Sequence, residues 1–267
     1  MGKKLGSSRA VSIFSSTFGR VDIDAEVNVV TPGGADLTKP PVSGRTFTTT
    51  RRVSIDDSSP DGRMELDAIA RFLQDAGNDD TDDADMAELG LAWVARRATI
   101  EVRSPARARE LLTIRTWCSG TGSRWAERRT SIRGEFGAEI EASAIWVHLD
   151  AQTGRPTKWG DDFASAYLPS TGGRRVDAKL RHEKTVPEGD GQPWRFRRTD
   201  MDAFGHVNNA AYLSIAEEFF DVENHPRVEI EWRGPSVADE DLRVHRHGDQ
   251  LWVTALDAGD LRVTITG

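Results

Sequence analysis

The densest group of residues that could do chemistry lies in the segment RRTDMDAFGHVNNAAYL, Arg197 to Leu213. Asp200 and Asp202 stand at the end of a predicted strand, and Asn208 or Asn209 stands where a helix needs a cap. This corner would present a carboxylate beside the unpaired N–H groups of a helix N-terminus. Those N–H groups, with the positive end of the helix dipole behind them, suit a carbonyl oxygen that gains negative charge. The alternative is that the Asp and Asn side chains only cap the helix.

A tight turn and a helix must hold these side chains together. Gly205 provides the backbone freedom that a tight turn needs, and the segment NNAAYLSIAEEFF predicts the helix. The strand-like segment PWRFRRTDMD precedes the turn. Four more strand-like segments follow the helix: RVEIEWRG, EDLRVHRHG, QLWVTALDA and DLRVTITG.

The same order of elements occurs earlier in the chain. The strand-like TFTTTRRVSI leads into the turn DDSSPDG, and four strand-like segments follow a helix. That helix is predicted from one apolar face, formed by Leu66, Ile69, Ala70 and Leu73. The letters also repeat, since Gly62-Arg63-Met64 matches Gly205-His206-Val207 and residues 100–105 match residues 230–235. We interpret this as an internal duplication.

The duplication predicts an α+β fold with four segments. Residues 1–45 are expected to form a disordered tail, residues 46–168 the first repeat, residues 169–192 a linker, and residues 193–267 the second repeat. In each repeat a long helix is wrapped by an antiparallel sheet, and the two sheets join into one as in a dimer. One mixed α+β domain with accidental repetition is the alternative.

The motif in the second repeat resembles the D-x-D-x-x-G-H-V-N-N-x-x-Y signature of hotdog-fold thioesterases, and the tandem arrangement resembles the acyl-ACP thioesterases. The resemblance covers residues 46–267. It implies two tandem hotdog repeats that form a pseudo-dimer, and hydrolysis of fatty acyl-ACP thioesters. The first repeat, with Arg63 in place of the motif His, is expected to be noncatalytic and to shape the acyl pocket, with Asp56 or Asp57 as the counterpart of Asp202.

The resemblance also implies the roles of individual residues. Asp202 matches the general base or nucleophile, and His206 matches the motif histidine, which would orient water or bond to nearby backbone. Asn209 matches the helix-start position whose backbone N–H polarises the thioester carbonyl. Substrate contacts are expected from the second corner and from the first helix: Gly205, Asn208, Gln74 and Asn78.

The chain departs from the plant acyl-ACP enzymes at two places. Phe204 replaces an Asn between the motif Asp and His, and Pro235 and Ser236 replace Glu and Cys after the helix. Phe204 and Pro235 leave open an acyl-thioester-binding protein without turnover. An acyl-CoA thioesterase is the enzymatic alternative. Tryptophans in or beside the predicted strands would line an acyl tunnel or simply fill the core: Trp93, Trp117, Trp146 and Trp232.

Composition limits the other classes of function. The 267 residues carry 35 Lys and Arg against 43 Asp and Glu, a net charge of −8, which is the wrong sign for a protein that mainly binds nucleic acid. No segment reaches the roughly 18 apolar residues of a membrane span, and no export signal is predicted. The single cysteine, Cys118, fits a reducing compartment, so the cytoplasm is expected.

No metal or cofactor is predicted. The expected partner is acyl carrier protein or acyl-CoA, and a homodimer is left open.

Overall fold

The computed structural model describes residues 37, 39–86, 92–150, 152–257 and 259–267. The predicted N-terminal tail therefore lies outside the described residues, apart from Leu37 and residues 39–45. No helix among the described residues is long and apolar enough to cross a membrane.

The first repeat contains five strands and two helices. A short 3-10 turn, Ile55–Asp57, lies between the first strand and the first helix. The elements are β1 (Phe47–Arg52), α1 (Leu66–Asp83), β2 (Ala92–Ser104), β3 (Leu111–Thr121), β4 (Trp125–Gly134), β5 (Glu139–Leu149) and α2 (Asp161–Thr171). The predicted boundary between residues 168 and 169 falls inside α2.

The second repeat has the same order with shorter elements. A 3-10 helix, Asn209–Tyr212, leads directly into its main helix. The elements are β6 (Gln192–Trp194), α3 (Leu213–Phe219), β7 (Arg227–Trp232), β8 (Leu242–His247), β9 (Gln250–Ala255) and β10 (Leu261–Thr266).

All ten strands form one antiparallel sheet, in the order β1-β3-β4-β5-β2-β7-β10-β9-β8-β6. The repeats meet where β2 pairs with β7, with Arg97 opposite Glu231 and Glu101 opposite Arg227. This pairing gives each marginal repeat a shared core. The α+β class and the joined sheet predicted from the duplication are confirmed.

Apolar side chains on one face of the sheet build the core. Ile100, Ile140 and Ile230 lie on this inner face and are buried with residues of α1 and α3. Of the apolar face predicted for α1, Leu66 and Ile69 are buried, while Ala70 and Leu73 are partly buried against the same core. Each fully buried residue of this size contributes about 1.5–3 kcal/mol, so the inner face fixes both helices on the sheet.

The outer face of the sheet is crossed by a strap, residues 172–191, which joins the two repeats. Backbone groups of the strap form hydrogen bonds with side chains on the outer face of the sheet. Arg97 donates to the carbonyl of Lys179 at 2.6 Å, Glu231 accepts the His182 N–H at 3.2 Å, and Trp252 donates to the carbonyl of Glu183 at 2.8 Å. The segment predicted as a linker from its composition is therefore held along its length.

Candidate active site

The DMDAFGHV segment forms a narrow turn that leads into the second helix. Met201 pairs with Val207 across the turn. The Asp202 N–H donates to the His206 carbonyl at 2.8 Å, and the Gly205 N–H donates to the Asp202 carbonyl at 3.1 Å. Gly205 has a φ of +79°, a conformation that favours glycine. These bonds place Asp202 at the base of the turn.

The Asp202 carboxylate has one oxygen bonded to the turn and one oxygen available. Its Oδ1 accepts the backbone N–H groups of Phe204 at 2.9 Å and His206 at 3.2 Å. Its Oδ2 accepts no hydrogen bond from any described residue. The residue is half-buried. A carboxylate that is anchored through one oxygen and open at the other can act on a water or a substrate without losing its orientation.

The second helix begins with one capped and one uncapped N–H group. The Asn208 side chain accepts the Ala210 N–H at 2.8 Å, so Asn208, predicted as a substrate contact, caps the helix in this structure. The Asn208 N–H donates to the Asp200 carbonyl at 2.8 Å. Within the described part of the chain, the Asn209 N–H has no acceptor. An N–H group of this kind, at the positive end of a helix, can donate to a carbonyl oxygen.

Two buried hydroxyl residues support this corner from behind, and the motif analysis did not assign them. The Ser236 carbonyl accepts the Val207 N–H at 3.0 Å, and the Ser236 N–H donates to the Tyr212 hydroxyl at 3.1 Å. Burial raises the pKa of Tyr212 to about 12, so its hydroxyl stays neutral. The sequence signal for this support is the tyrosine that follows Val207 by five residues in the DMDAFGHVNNAAYL segment.

The first repeat holds a second corner with the same backbone bonds, 143 residues earlier. Ser59 N–H donates to the Arg63 carbonyl at 2.9 Å, and Gly62 N–H donates to the Ser59 carbonyl at 2.8 Å. The counterpart of Asp202 is therefore Ser59. The expectation that Asp56 or Asp57 would correspond to Asp202 is wrong. The Asp57 backbone carbonyl accepts the Glu65 N–H at 3.0 Å, so Asp57 takes the position of Asp200.

The helix start in this first corner is occupied. Glu217, on α3 of the other repeat, accepts the Leu66 N–H at 2.5 Å. The same carboxylate pairs with Arg63, with Nη2 to Oε2 at 2.8 Å and Nη1 to Oε1 at 3.1 Å. The first corner thus lacks both a carboxylate at position 59 and an available N–H group at position 66.

The two candidates on α1 differ in placement. Gln74 is half-buried, and its side chain makes no hydrogen bond with the described residues, while Asn78 is exposed. With the offset of 143 residues between the two corners, Gln74 corresponds to Glu217 and Leu66 corresponds to Asn209. Gln74, rather than Asn78, is therefore the equivalent of Glu217, the residue that bonds to the start of α1. The α1 helix contacts both the 3-10 helix at Asn209–Tyr212 and α3.

One group of side chains has the composition of a metal site. Ligand atoms of His182, Glu229 and Glu231 lie within 4.8 Å of one another under the strap. The Glu231 carboxylate already accepts the N–H groups of Arg181 and His182 and pairs with Arg233 at 2.9 Å. These bonds satisfy the Glu231 carboxylate within the protein, so the cluster holds the strap against the sheet.

Two family models match the chain. The acyl-ACP thioesterase N-terminal domain matches residues 44–167, and the acyl-ACP thioesterase C-terminal domain matches residues 180–254. An uncharacterized protein of Mycobacterium tuberculosis is 30% identical over 234 residues, which are 85% of this chain and 93% of that protein. An oleoyl-acyl carrier protein thioesterase of Coriandrum sativum is 28% identical over 66% of this chain and 55% of its own length.

Solved structures show the same fold. An acyl-ACP thioesterase from Bacteroides thetaiotaomicron has a TM-score of 0.67 at 15% identity, covering 82% of this chain and 96% of that one. A 12:0-ACP thioesterase from Umbellularia californica has a TM-score of 0.64 at 18% identity, covering 84% and 96%. The prediction of two tandem hotdog repeats is confirmed.

Proposed function

Because the chain belongs to the acyl-ACP thioesterase family, we propose that it hydrolyses fatty acyl thioesters of acyl carrier protein at the corner between Asp202 and Asn209. The products are a free fatty acid and the carrier thiol. One observation carries the proposal. Asp202 Oδ2 and the Asn209 N–H belong to the same corner, and neither has a hydrogen-bond partner among the described residues. The single cysteine fits a reducing compartment, and we propose the cytoplasm as the site of the reaction.

The proposed reaction uses these two groups together. The Asn209 N–H donates to the thioester carbonyl oxygen and stabilises the negative charge that develops there. Asp202 either takes a proton from a water that adds to the carbonyl carbon, or itself attacks that carbon to give an anhydride that water then hydrolyses. The carbon–sulfur bond breaks and the thiolate leaves. A thiol with a pKa of about 8.5 is a good leaving group, so the site needs no strong acid.

The remaining predicted residues support this centre. His206 fixes Asp202 through its own N–H and carbonyl groups, and its ring would orient the water. Gly205 sets the turn, and Gln74 faces the helix start from the other repeat. The first repeat, with Ser59 in place of the carboxylate, contributes the wall of the acyl pocket. The half-buried Trp232, packed against the core, is proposed to line that pocket.

The test is thiol release from matched acyl-ACP and acyl-CoA substrates over a range of chain lengths. Asp202→Asn keeps an oxygen that accepts the Phe204 and His206 N–H groups, so the turn should survive. We expect turnover to fall at least about 100-fold. Asp200→Asn is the matched control, since its carboxylate bonds to Arg197 within the corner. It should keep most of the activity.

Three results would redirect or contradict the proposal. Faster release from acyl-CoA than from acyl-ACP would identify the alternative substrate. Binding of acyl thioester without thiol release would identify an acyl-binding protein. In such a protein the Asp202 carboxylate would hold the turn through the two bonds of its Oδ1. Full hydrolysis by Asp202→Asn would remove Asp202 from the mechanism.

A further inference from the structure

The N-terminus of α1 is capped by a residue from the other repeat. Its own N-cap residue, Glu65, makes no side-chain capping bond. Glu217 of α3 supplies the missing acceptor through its bond to the Leu66 N–H at 2.5 Å. The paired Arg63 and Glu217 side chains are only 14% and 17% exposed. A carboxylate held this way combines a charged hydrogen bond with the favourable field of the helix N-terminus.

This bond occupies the position that substrate would need in the first corner. Leu66 is the equivalent of Asn209, whose N–H is the proposed donor to the thioester oxygen. An acyl thioester that entered the first corner would have to displace the Glu217 carboxylate from the Leu66 N–H and from Arg63. A neutral carbonyl oxygen is a weaker acceptor than a carboxylate, so the exchange is unfavourable.

The equivalent position in the second corner carries a neutral side chain. The offset of 143 residues that relates the two corners makes Gln74 the equivalent of Glu217. In the described structure Gln74 does not bond to the Asn209 N–H, and that N–H has no other acceptor. At this position of the facing helix, the first corner therefore has the carboxylate of Glu217, and the second corner has the amide of Gln74.

We propose that Glu217 is a built-in plug that closes the first corner, and that the neutral Gln74 is what keeps the second corner open. A carboxylate at position 74 would occupy the Asn209 N–H as Glu217 occupies that of Leu66. This inference rests on the proposed function for its kinetic consequence, although the plug itself is a property of the two helices.

The kinetic test is Gln74→Glu in the full-length protein. Loss of the proposed oxygen-stabilising donor should lower kcat at least about 100-fold. Glu217→Gln is the matched control, because it makes the opposite exchange at the equivalent position of the first corner. It should remain within about tenfold of the wild-type protein. An equal loss in both variants would overturn the plug and show that the two substitutions act through global stability.

A second readout does not depend on activity. With ¹⁵N-labelled Asn and Leu, the Asn209 amide proton should move downfield in Gln74→Glu, because it gains a carboxylate acceptor. The Leu66 amide proton should move upfield in Glu217→Gln, which weakens the existing bond. Unchanged resonances for both would overturn the plug. If the unchanged protein releases no thiol, the proposed function fails, while the amide shifts still decide whether the plug exists.

Discussion

Gly62 and Gly205 have the same φ, +79°, at equivalent positions of the two corners. Within the described part of the protein, an added Cβ would meet no atom within 4 Å at either position. Replacement by alanine therefore costs only the strain of a left-handed backbone, about 1–2 kcal/mol at each position. Alanine at either glycine should therefore cost the same stability, although only the second corner is proposed to react.

Gly205→Ala should lower kcat by about tenfold or more, because the turn that relaxes is the one that orients Asp202 and the Asn209 N–H. Gly62→Ala should lose the same stability and keep most of the activity. Thermal unfolding and thiol release, measured on both variants, check the pair. Equal kinetic losses would mean that the glycines act only through global stability.

The C-terminal half of α1 is held by a buried ion cluster. Asp80, which is 1% exposed, accepts from Arg45 at 2.7 Å and from Arg128 of β4 at 2.6 Å. Asp80→Asn should lower the free energy of unfolding by about 3–5 kcal/mol, because it removes the buried charge that both arginines share and leaves Arg45 only the exposed Asp83. Urea unfolding measures the loss.

The neighbouring Asp79→Asn is the control for this cluster. Asp79 pairs with Arg51, but both side chains are more than a third exposed. Such a pair contributes at most about 1 kcal/mol. A loss as large as that of Asp80→Asn would show that helix propensity, rather than burial of the pair, sets the effect.

Cys118 should have no part in the reaction. The residue is buried, and burial raises the pKa of its thiol to about 11, so it carries no thiolate at neutral pH. Cys118→Ala should keep thiol release within about twofold, and a thiol reagent should modify the unchanged protein only on unfolding. Rapid labelling of the folded protein, or a tenfold loss of activity in the variant, would contradict this assignment.

Glu229, beneath the strap, should make stability depend on acid pH. Burial alone would raise the pKa of Glu229, but contact with His182, the charge of Arg97 and the Thr99 hydroxyl lower it from 4.5 to about 2. Because the pKa is lower in the folded state, this stabilisation is present above about pH 4.5. It is lost as the pH falls toward 2.

The shift corresponds to a contribution on the order of 3 kcal/mol. Glu229→Gln should therefore flatten the fall in unfolding free energy between about pH 4.5 and pH 2. Urea unfolding over this range, with the exposed Glu223→Gln as control, provides the measurement. Parallel pH profiles for the unchanged protein and Glu229→Gln would contradict the prediction.

Much of the local structure could be predicted from residues close together in the chain. The apolar spacing of Leu66 and Ile69 predicted α1, and Gly205 predicted the turn, because both depend on backbone preferences within a few residues. The repeated letters around Gly62 and Gly205 predicted two similar corners. The DMDAFGHVNN segment predicted a carboxylate beside a helix start.

The residue-by-residue match between the two corners could not be predicted this way. Counting letters selected Asp56 or Asp57 as the counterpart of Asp202, and only the hydrogen bonds of the turn showed that Ser59 takes that position. The contact between Leu66 and Glu217 joins residues 151 apart in the sequence. It exists because two helices cross on one sheet, and packing of that kind depends on the whole core. The sequence by itself thus determined the local form of each corner, while the tertiary structure decided which residues correspond and which helix start is filled by a side chain of the other repeat.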